Sequence, residues 1–130
     1  MSKQNSELIR RGFAAFGRGD VAAVMTILAP DITWHVPGRG PLSGDYHGHD
    51  EVAKFFAETM RLSQGSFAIQ LDEVLSADDS VVALCTVSAE RDGRRWSSTE
   101  VHVWHITEGR ATRFREYQGD QQTEDEFWSR

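Results

Sequence analysis

Residues 81–120, VVALCTVSAERDGRRWSSTEVHVWHITEGRATRFREYQGD, read as three consecutive β-strands joined by tight turns. Asp92-Gly93, set between alternating stretches, is the strongest short-range hairpin signal a chain can carry. Thr107-Glu108-Gly109 suits a three-residue loop with Gly109 in the left-handed conformation. One more alternating stretch precedes them, so the second half of the chain is a four-stranded meander, about 66–77, 80–91, 94–106 and 110–119.

The turns predict which side chains meet. Pairing Arg91 with Arg94 sets Cys85 across from Glu100 and Ala83 across from His102. Pairing Ile106 with Arg110 sets Glu100 across from Glu116 and His102 across from Phe114. Alternation then gathers Ala83, Cys85, Val87, Glu100, His102, Trp104, Phe114, Glu116 and Gln118 on one face. The opposite face carries Val101, Val103, His105, Arg113, Arg115 and Tyr117. The first face mixes apolar walls with two carboxylates and an imidazole, which is what a ligand pocket requires.

The first half reads helical. Leu8, Ile9, Phe13 and Phe16 recur at three- and four-residue steps over about residues 5–17, and Gly17 and Gly19 end that helix. Asp20 can cap a second helix bearing Val21, Val24, Met25 and Leu28, stopped by Pro30. Ile32–Val36 alternates like a strand, and the Gly-rich stretch GRGPLSGDYHG follows as a loop. Asp50 and Glu51 suit the positive end of a third helix whose apolar face holds Val52, Phe55, Phe56 and Met60. Three helices followed by a curved, mainly antiparallel sheet make an α+β architecture, a cone with a pocket at its mouth.

Composition bounds the rest. The chain has 130 residues, 39% hydrophobic and 26% charged, which fits one soluble domain spanning 1–130. A net charge of −6 argues against a nucleic-acid partner, since phosphate binding needs clustered Lys and Arg. The run Arg91–Arg95 reads as a charged hairpin tip. No apolar run approaches the ~20 residues that cross a bilayer, and MSKQNSELIRR lacks the apolar core of a signal peptide, so a cytoplasmic location without membrane contact is expected. Cys85 is the only cysteine and, within VVALCTV, reads as a small buried hydrophobe. His47 and His49 form an HxH pair, but zinc wants a third ligand at suitable spacing, so neither metal nor other cofactor is expected. His35 points away from Trp34, and His102 and His105 lie on opposite strand faces.

The order and spacing of FGRGD, LAPDITWHVPG, GDYHGHDEVAKFF and VHVWHITEGRATRFREYQGD resemble the SnoaL-like branch of the NTF2-like superfamily, which also contains ketosteroid isomerases and limonene-epoxide hydrolases. The resemblance covers nearly the whole chain and implies the cone-shaped fold. By the same resemblance, the isomerase base falls at Val36 and its oxyanion-hole residues at Gly12 and His102, a set that cannot perform that reaction. Of the hydrolases' Arg–Asp–Asp set, Glu116 can replace one Asp, but the other positions fall at Ala83 and Cys85. The polyketide-cyclase pattern fits better: its histidine and aspartate match His102 and Glu116, for an aldol ring closure without metal or cofactor.

The expected site is therefore Glu116 as acid/base, His102 as its polar partner and Glu100 as a neighbouring charge that raises its pKa. Trp34, Val36, Tyr46, Phe56, Met60, Cys85, Trp104 and Phe114 are the expected substrate-binding walls, with Tyr46 folding over the mouth. The ligand is expected to be a small, mostly apolar molecule carrying a carbonyl or hydroxyl. Two rivals stand beside an enzyme of this kind: a non-catalytic binding module, and a structural or interaction domain whose cone is filled by side chains. The resemblance and the apolar outer strand face together imply a homodimer built sheet to sheet.

Overall fold

A computed structural model describes residues 2–129. Helix α1 (Ser2–Gly17) and helix α2 (Val21–Ile27) lead into strand β1 (Leu28–Val36), strand β2 (Gly44–His47) and helix α3 (Gly48–Leu62). Strands β3 (Ala68–Ala77), β4 (Ser80–Arg91), β5 (Arg94–Thr107) and β6 (Arg110–Gln118) follow, and helix α4 (Gln121–Ser129) comes last. The six strands form one sheet in the order β2-β1-β6-β5-β4-β3. Every neighbouring pair is antiparallel except β1 and β6, which run parallel.

Local chemistry sets most of these boundaries. Asp20 caps α2 by accepting the Ala23 N–H at 3.0 Å. Glu51, in the first turn of α3, reaches back to accept the His47 N–H at 2.7 Å. Asp92 and Gly93 both have positive φ, as a two-residue hairpin turn between Arg91 and Arg94 requires. Leu28 belongs to β1, not to α2, and Pro30 lies where the β1–β6 register slips between Leu28 and Thr33. A proline cannot donate to a regular ladder, so an irregular stretch is where a strand tolerates one.

Three elements differ from the sequence reading. Part of the Gly-rich loop, Gly44–His47, forms β2 and pairs with β1. The chain carries a fourth helix, α4, begun by Asp120, whose side chain accepts the Thr123 N–H at 3.1 Å. Arg91 is more than a hairpin tip: Nη1 donates to the carbonyls of Phe127 and Trp128 at 2.8 and 2.7 Å, and Nε donates to that of Leu62 at 3.1 Å. One guanidinium thereby satisfies carbonyls at the ends of both α3 and α4.

The β4–β5 register is the expected one, with Ala83 opposite His102 and Cys85 opposite Glu100. The β5–β6 register is not. The loop is a two-residue turn with Thr107 paired to Arg110, and Glu108 and Gly109 both at positive φ. One step later β6 inserts an extra residue, Thr112, between Ala111 (paired with Ile106) and Arg113 (paired with His105). Such a bulge returns the strand to the original face. Glu100 consequently faces Gln118, and His102, not Glu100, faces Glu116.

The concave face of the sheet is buried under the helices in two apolar clusters. One joins α1, α2 and α3 to β1, β5 and β6 around Trp34, Phe56, Trp104 and Phe114. The other gathers Leu42, Val87, Ala89 and Trp96 with Phe127 and Trp128 of α4. Trp34 stacks on Phe114 with centroids 3.8 Å apart and meets Phe56 and Trp104 edge to face, pairs worth about 0.5–1.5 kcal/mol each beyond their buried area. Among the described residues no helix is long and apolar enough to cross a membrane.

Candidate functional site

Along the concave face of β5 the buried residues run Trp96, Glu100, His102, Trp104, Ile106. The two polar ones therefore lie between the two apolar clusters. Because Glu100 and His102 are two apart on a strand, their side chains project side by side, and His102 Nε2 lies 2.7 Å from Glu100 Oε1. From β6, Gln118 donates through Nε2 to Glu100 Oε2 at 2.5 Å and to Glu116 Oε2 at 2.8 Å. The amide is the bridge that joins the two carboxylates. Glu100, His102 and Glu116 are only 4%, 6% and 7% exposed.

The His102 ring is held on three sides. Phe13 stacks on it at 5.8 Å, while Phe114 and Trp104 present edges at 4.8 and 6.5 Å. With Glu100 accepting from both His102 and Gln118, the imidazole proton belongs on Nε2, which leaves Nδ1 basic. Nδ1 is buried and has no hydrogen-bond partner among the described residues. The same is true of Gln118 Oε1 and of the indole Nε1 atoms of Trp34 and Trp104. Buried polar atoms left open in this way call for a partner such as water or a ligand.

Trp34, His102 and Trp104 border a cavity of about 90 Å³. Trp34, Val36, Phe56, Trp104 and Phe114 line it as expected, together with Glu100, His102 and Glu116. Three of the expected wall residues do not. Met60 is 38% exposed on the outer side of α3. Cys85 is buried in the sheet beside Glu100 without reaching the cavity, and burial, then the charges of Glu100, Asp72 and Glu116, push its thiol up to about 12. Tyr46 packs on Phe55, its hydroxyl donating to the Leu42 carbonyl at 2.7 Å; it buttresses the wall instead of covering the mouth. The reading of the sequence did not place Ile9, Phe13, Phe16, Phe55, Phe67 or Trp128 in the wall, nor Glu124.

Glu124 comes from α4 and is 7% exposed. Gln121 Nε2 donates to its Oε1 at 2.8 Å and also to Asp125 Oδ1 at 2.9 Å. Burial, reinforced by the Glu100 charge, raises its carboxyl to about 8. Glu116 is raised well above the usual carboxylate range, by burial first and then by Glu100 and Glu124, against the opposing pull of the Gln118 hydrogen bond. Among the described residues no lysine or arginine lines the cavity to offset these acids.

Donor atoms of Glu100, His102 and Glu116 all lie within 4.8 Å of one another. A metal shell with bonds near ~2.1 Å would bring neighbouring ligand atoms to roughly 3 Å. Here the space between the carboxylates holds an amide N–H, which repels a cation, so the residues suit protons better than a metal. The HxH pair diverges: His49 Nε2 sits 2.9 Å from the Leu28 carbonyl and His47 is exposed. His35 pairs with Asp45 at 2.6 Å, away from the cavity.

Residues 9–114 match the SnoaL-like domain over most of the chain. The protein belongs to the SnoaL-like domain family. Among solved structures, this SnoaL-like chain is similar to Bal32a from a soil-derived mobile gene cassette, with TM-score 0.94, 34% identity and 98% of each chain covered. An NTF2-like protein of Burkholderia pseudomallei superposes with TM-score 0.87 at 29% identity over 100% of both chains. TerC, co-crystallised with polyporic acid, superposes with TM-score 0.86 at 25% identity, covering 95% of this chain and 97% of its own. The cone expected from the motifs is thus an NTF2-like fold. At Gly12, where the resemblance places the isomerases' tyrosine, a Cβ would come within 2.4 Å of Ile27 Cδ1, so any larger residue there must displace the tip of the Ile27 side chain.

Proposed function

We propose that this SnoaL-like protein binds a small, mostly apolar molecule bearing a carbonyl or hydroxyl and performs cofactor-free acid/base chemistry on it, such as aldol cyclisation, isomerisation or hydration. The observation that carries the proposal is the His102 ring, fixed by Glu100 on one nitrogen and left open on the other inside an aromatic cavity shared with Glu116. The TerC neighbour, co-crystallised with polyporic acid, supports an organic ligand for this chain as well.

The roles follow from protonation. Glu116, whose carboxyl burial raises well above the ordinary range, is the acid; His102 Nδ1 is the base, and Glu100 orients it. His102 takes the proton from the carbon beside a ligand carbonyl while Glu116 gives its proton to the carbonyl oxygen, leaving an enol. In a cyclisation the enol carbon forms a bond to a second carbonyl carbon. That carbonyl's oxygen takes the proton from His102, and the enol O–H returns its own to Glu116. Both groups end as they began, with no electrons gained or lost.

Proton exchange at the carbon tests this without knowledge of the natural substrate. The protein should accelerate deuterium incorporation into the methyl groups of 1,4-diacetylbenzene in D₂O, and Glu116→Gln should reduce that acceleration by ~10²-fold or more. Binding of the ketone without accelerated exchange would instead identify a ligand-binding module, and no binding of any aromatic ketone would defeat both readings.

A further inference from the structure

Glu124 is not used in the proton transfers above, yet it occupies a wall of the same cavity. It arrives on α4, a helix held in place by Arg91 through the Phe127 and Trp128 carbonyls, and Gln121 fixes one of its carboxyl oxygens. A carboxyl group held this firmly in an aromatic wall has a direction. The cavity contains three acids and an imidazole and, among the described residues, no lining cation. It also leaves His102 Nδ1 open, on a side chain that is itself more than nine-tenths buried.

We propose that Glu124 is a second ligand-recognition acid, so that the cavity takes an uncharged single aromatic ring with two oxygen functions: a hydroxyl or enolisable carbonyl met by His102 and Glu116, and a carbonyl acceptor met by the carboxylic acid of Glu124. This rests on the ligand pocket proposed above and names the class of molecule it accepts. Size favours the smallest ring: at about 90 Å³ the cavity is below the ~150 Å³ apolar void that takes up benzene, so the walls must move apart even for one ring and much further for a fused polycycle. Charge supports neutrality, because a carboxylate ligand would meet Glu100, and among the described residues no lining lysine or arginine would receive it. Burial, which raises Glu124 to about 8, keeps it a donor at neutral pH. Gln121 donates to Oε1 and so does not take up the acid's own proton, which stays available to a ligand.

The test is a calorimetric titration of the full chain at pH 7 with four ring probes: 4-hydroxyacetophenone, 4-ethylphenol, acetophenone and 4-hydroxybenzoate. The first should bind most tightly, with 4-ethylphenol and acetophenone each weakened about 5- to 10-fold by loss of one hydrogen bond, and 4-hydroxybenzoate should not bind. Glu124→Gln keeps an acceptor for Gln121 and a donor for the ligand, so it should retain 4-hydroxyacetophenone within about twofold. Glu124→Leu should lose about 5- to 10-fold for 4-hydroxyacetophenone and nothing for 4-ethylphenol, a pattern that mere disturbance of α4 would not produce. If wild-type protein binds 4-hydroxyacetophenone and 4-ethylphenol equally, or binds 4-hydroxybenzoate as well as either, the role of Glu124 is wrong while the pocket stands. If no probe binds, the pocket reading fails first. The wild-type probe series decides the matter even if the leucine variant does not fold.

Discussion

Replacing Glu124 by glutamine should make the protein more stable, by an amount that depends on pH in a defined way. The carboxyl is raised from an ordinary value of 4.5 to about 8. A raised acid binds its proton more tightly in the folded than in the unfolded chain. It therefore imposes no penalty below about pH 4.5, and stability is lost as pH rises from there to about 8, beyond which the loss is constant. At pH 7 the chain has crossed about 2.5 units of that window. At roughly 1.4 kcal/mol per unit this is on the order of 3 kcal/mol. Glutamine matches the shape, still accepts from Gln121 and carries no charge, so Glu124→Gln removes the penalty. Urea unfolding followed by tryptophan fluorescence at pH 5, 6, 7 and 8 should show a gap of less than about 1 kcal/mol at pH 5. The gap should widen to about 3 kcal/mol at pH 7, or roughly 10 °C in Tm for a domain of this size. Part of the gain will come through Glu116, whose own shift includes the Glu124 charge. A gap that stays the same from pH 5 to 8, or a wild type that gains stability relative to the variant over that range, would refute the burial argument for this acid.

Three further outcomes follow from the same structure. Arg91→Ala removes charge-assisted bonds to Leu62, Phe127 and Trp128 and should cost about 2–3 kcal/mol, with amide exchange rising first in α4. Cys85, buried and pushed up to about 12, should not react with a disulfide reagent at pH 8 until the protein is unfolded, and rapid labelling of native protein would contradict its placement. We also propose that the outer sheet face, with half-buried Val101 and Val103 and an exposed Tyr117, pairs with a second copy about a twofold axis; sedimentation as a monomer at micromolar concentration would contradict that.

Much of the fold was legible because it is written in periodicity and turn chemistry. Leu8, Ile9, Phe13 and Phe16 marked α1, and Asp92-Gly93 set the β4–β5 register residue for residue. The β5–β6 register was harder. The turn is one residue shorter than Thr107-Glu108-Gly109 suggested, and Thr112 bulges one step beyond it. The two departures each shift the pairing by one in the same direction, so the inward face was right while every pair on it was displaced by two. No local signal announces a bulge at a threonine, and its effect was to replace a Glu100–Glu116 pair with one bridged by Gln118. Glu124 was missed for a different reason: α4 is nine residues long, mostly polar, and buries only Glu124, Phe127 and Trp128. Asp120 before it is an N-cap residue, and Phe127-Trp128 at its end is an apolar anchor; those were the available clues. Met60 was assigned to the cavity on helical spacing alone, but it lies on the edge of the apolar stripe that turns to solvent.

The most direct test of the site is an NMR titration reading the ring nitrogens of His102 and the side-chain carboxyl of Glu116 in one experiment on the wild-type protein. The account predicts that the neutral imidazole carries its proton on Nε2 and leaves Nδ1 bare, beside a Glu116 carboxyl that still holds its proton well above the ordinary value of 4.5. A His102 carrying its proton on Nδ1, or a Glu116 that titrates near 4.5, would contradict it.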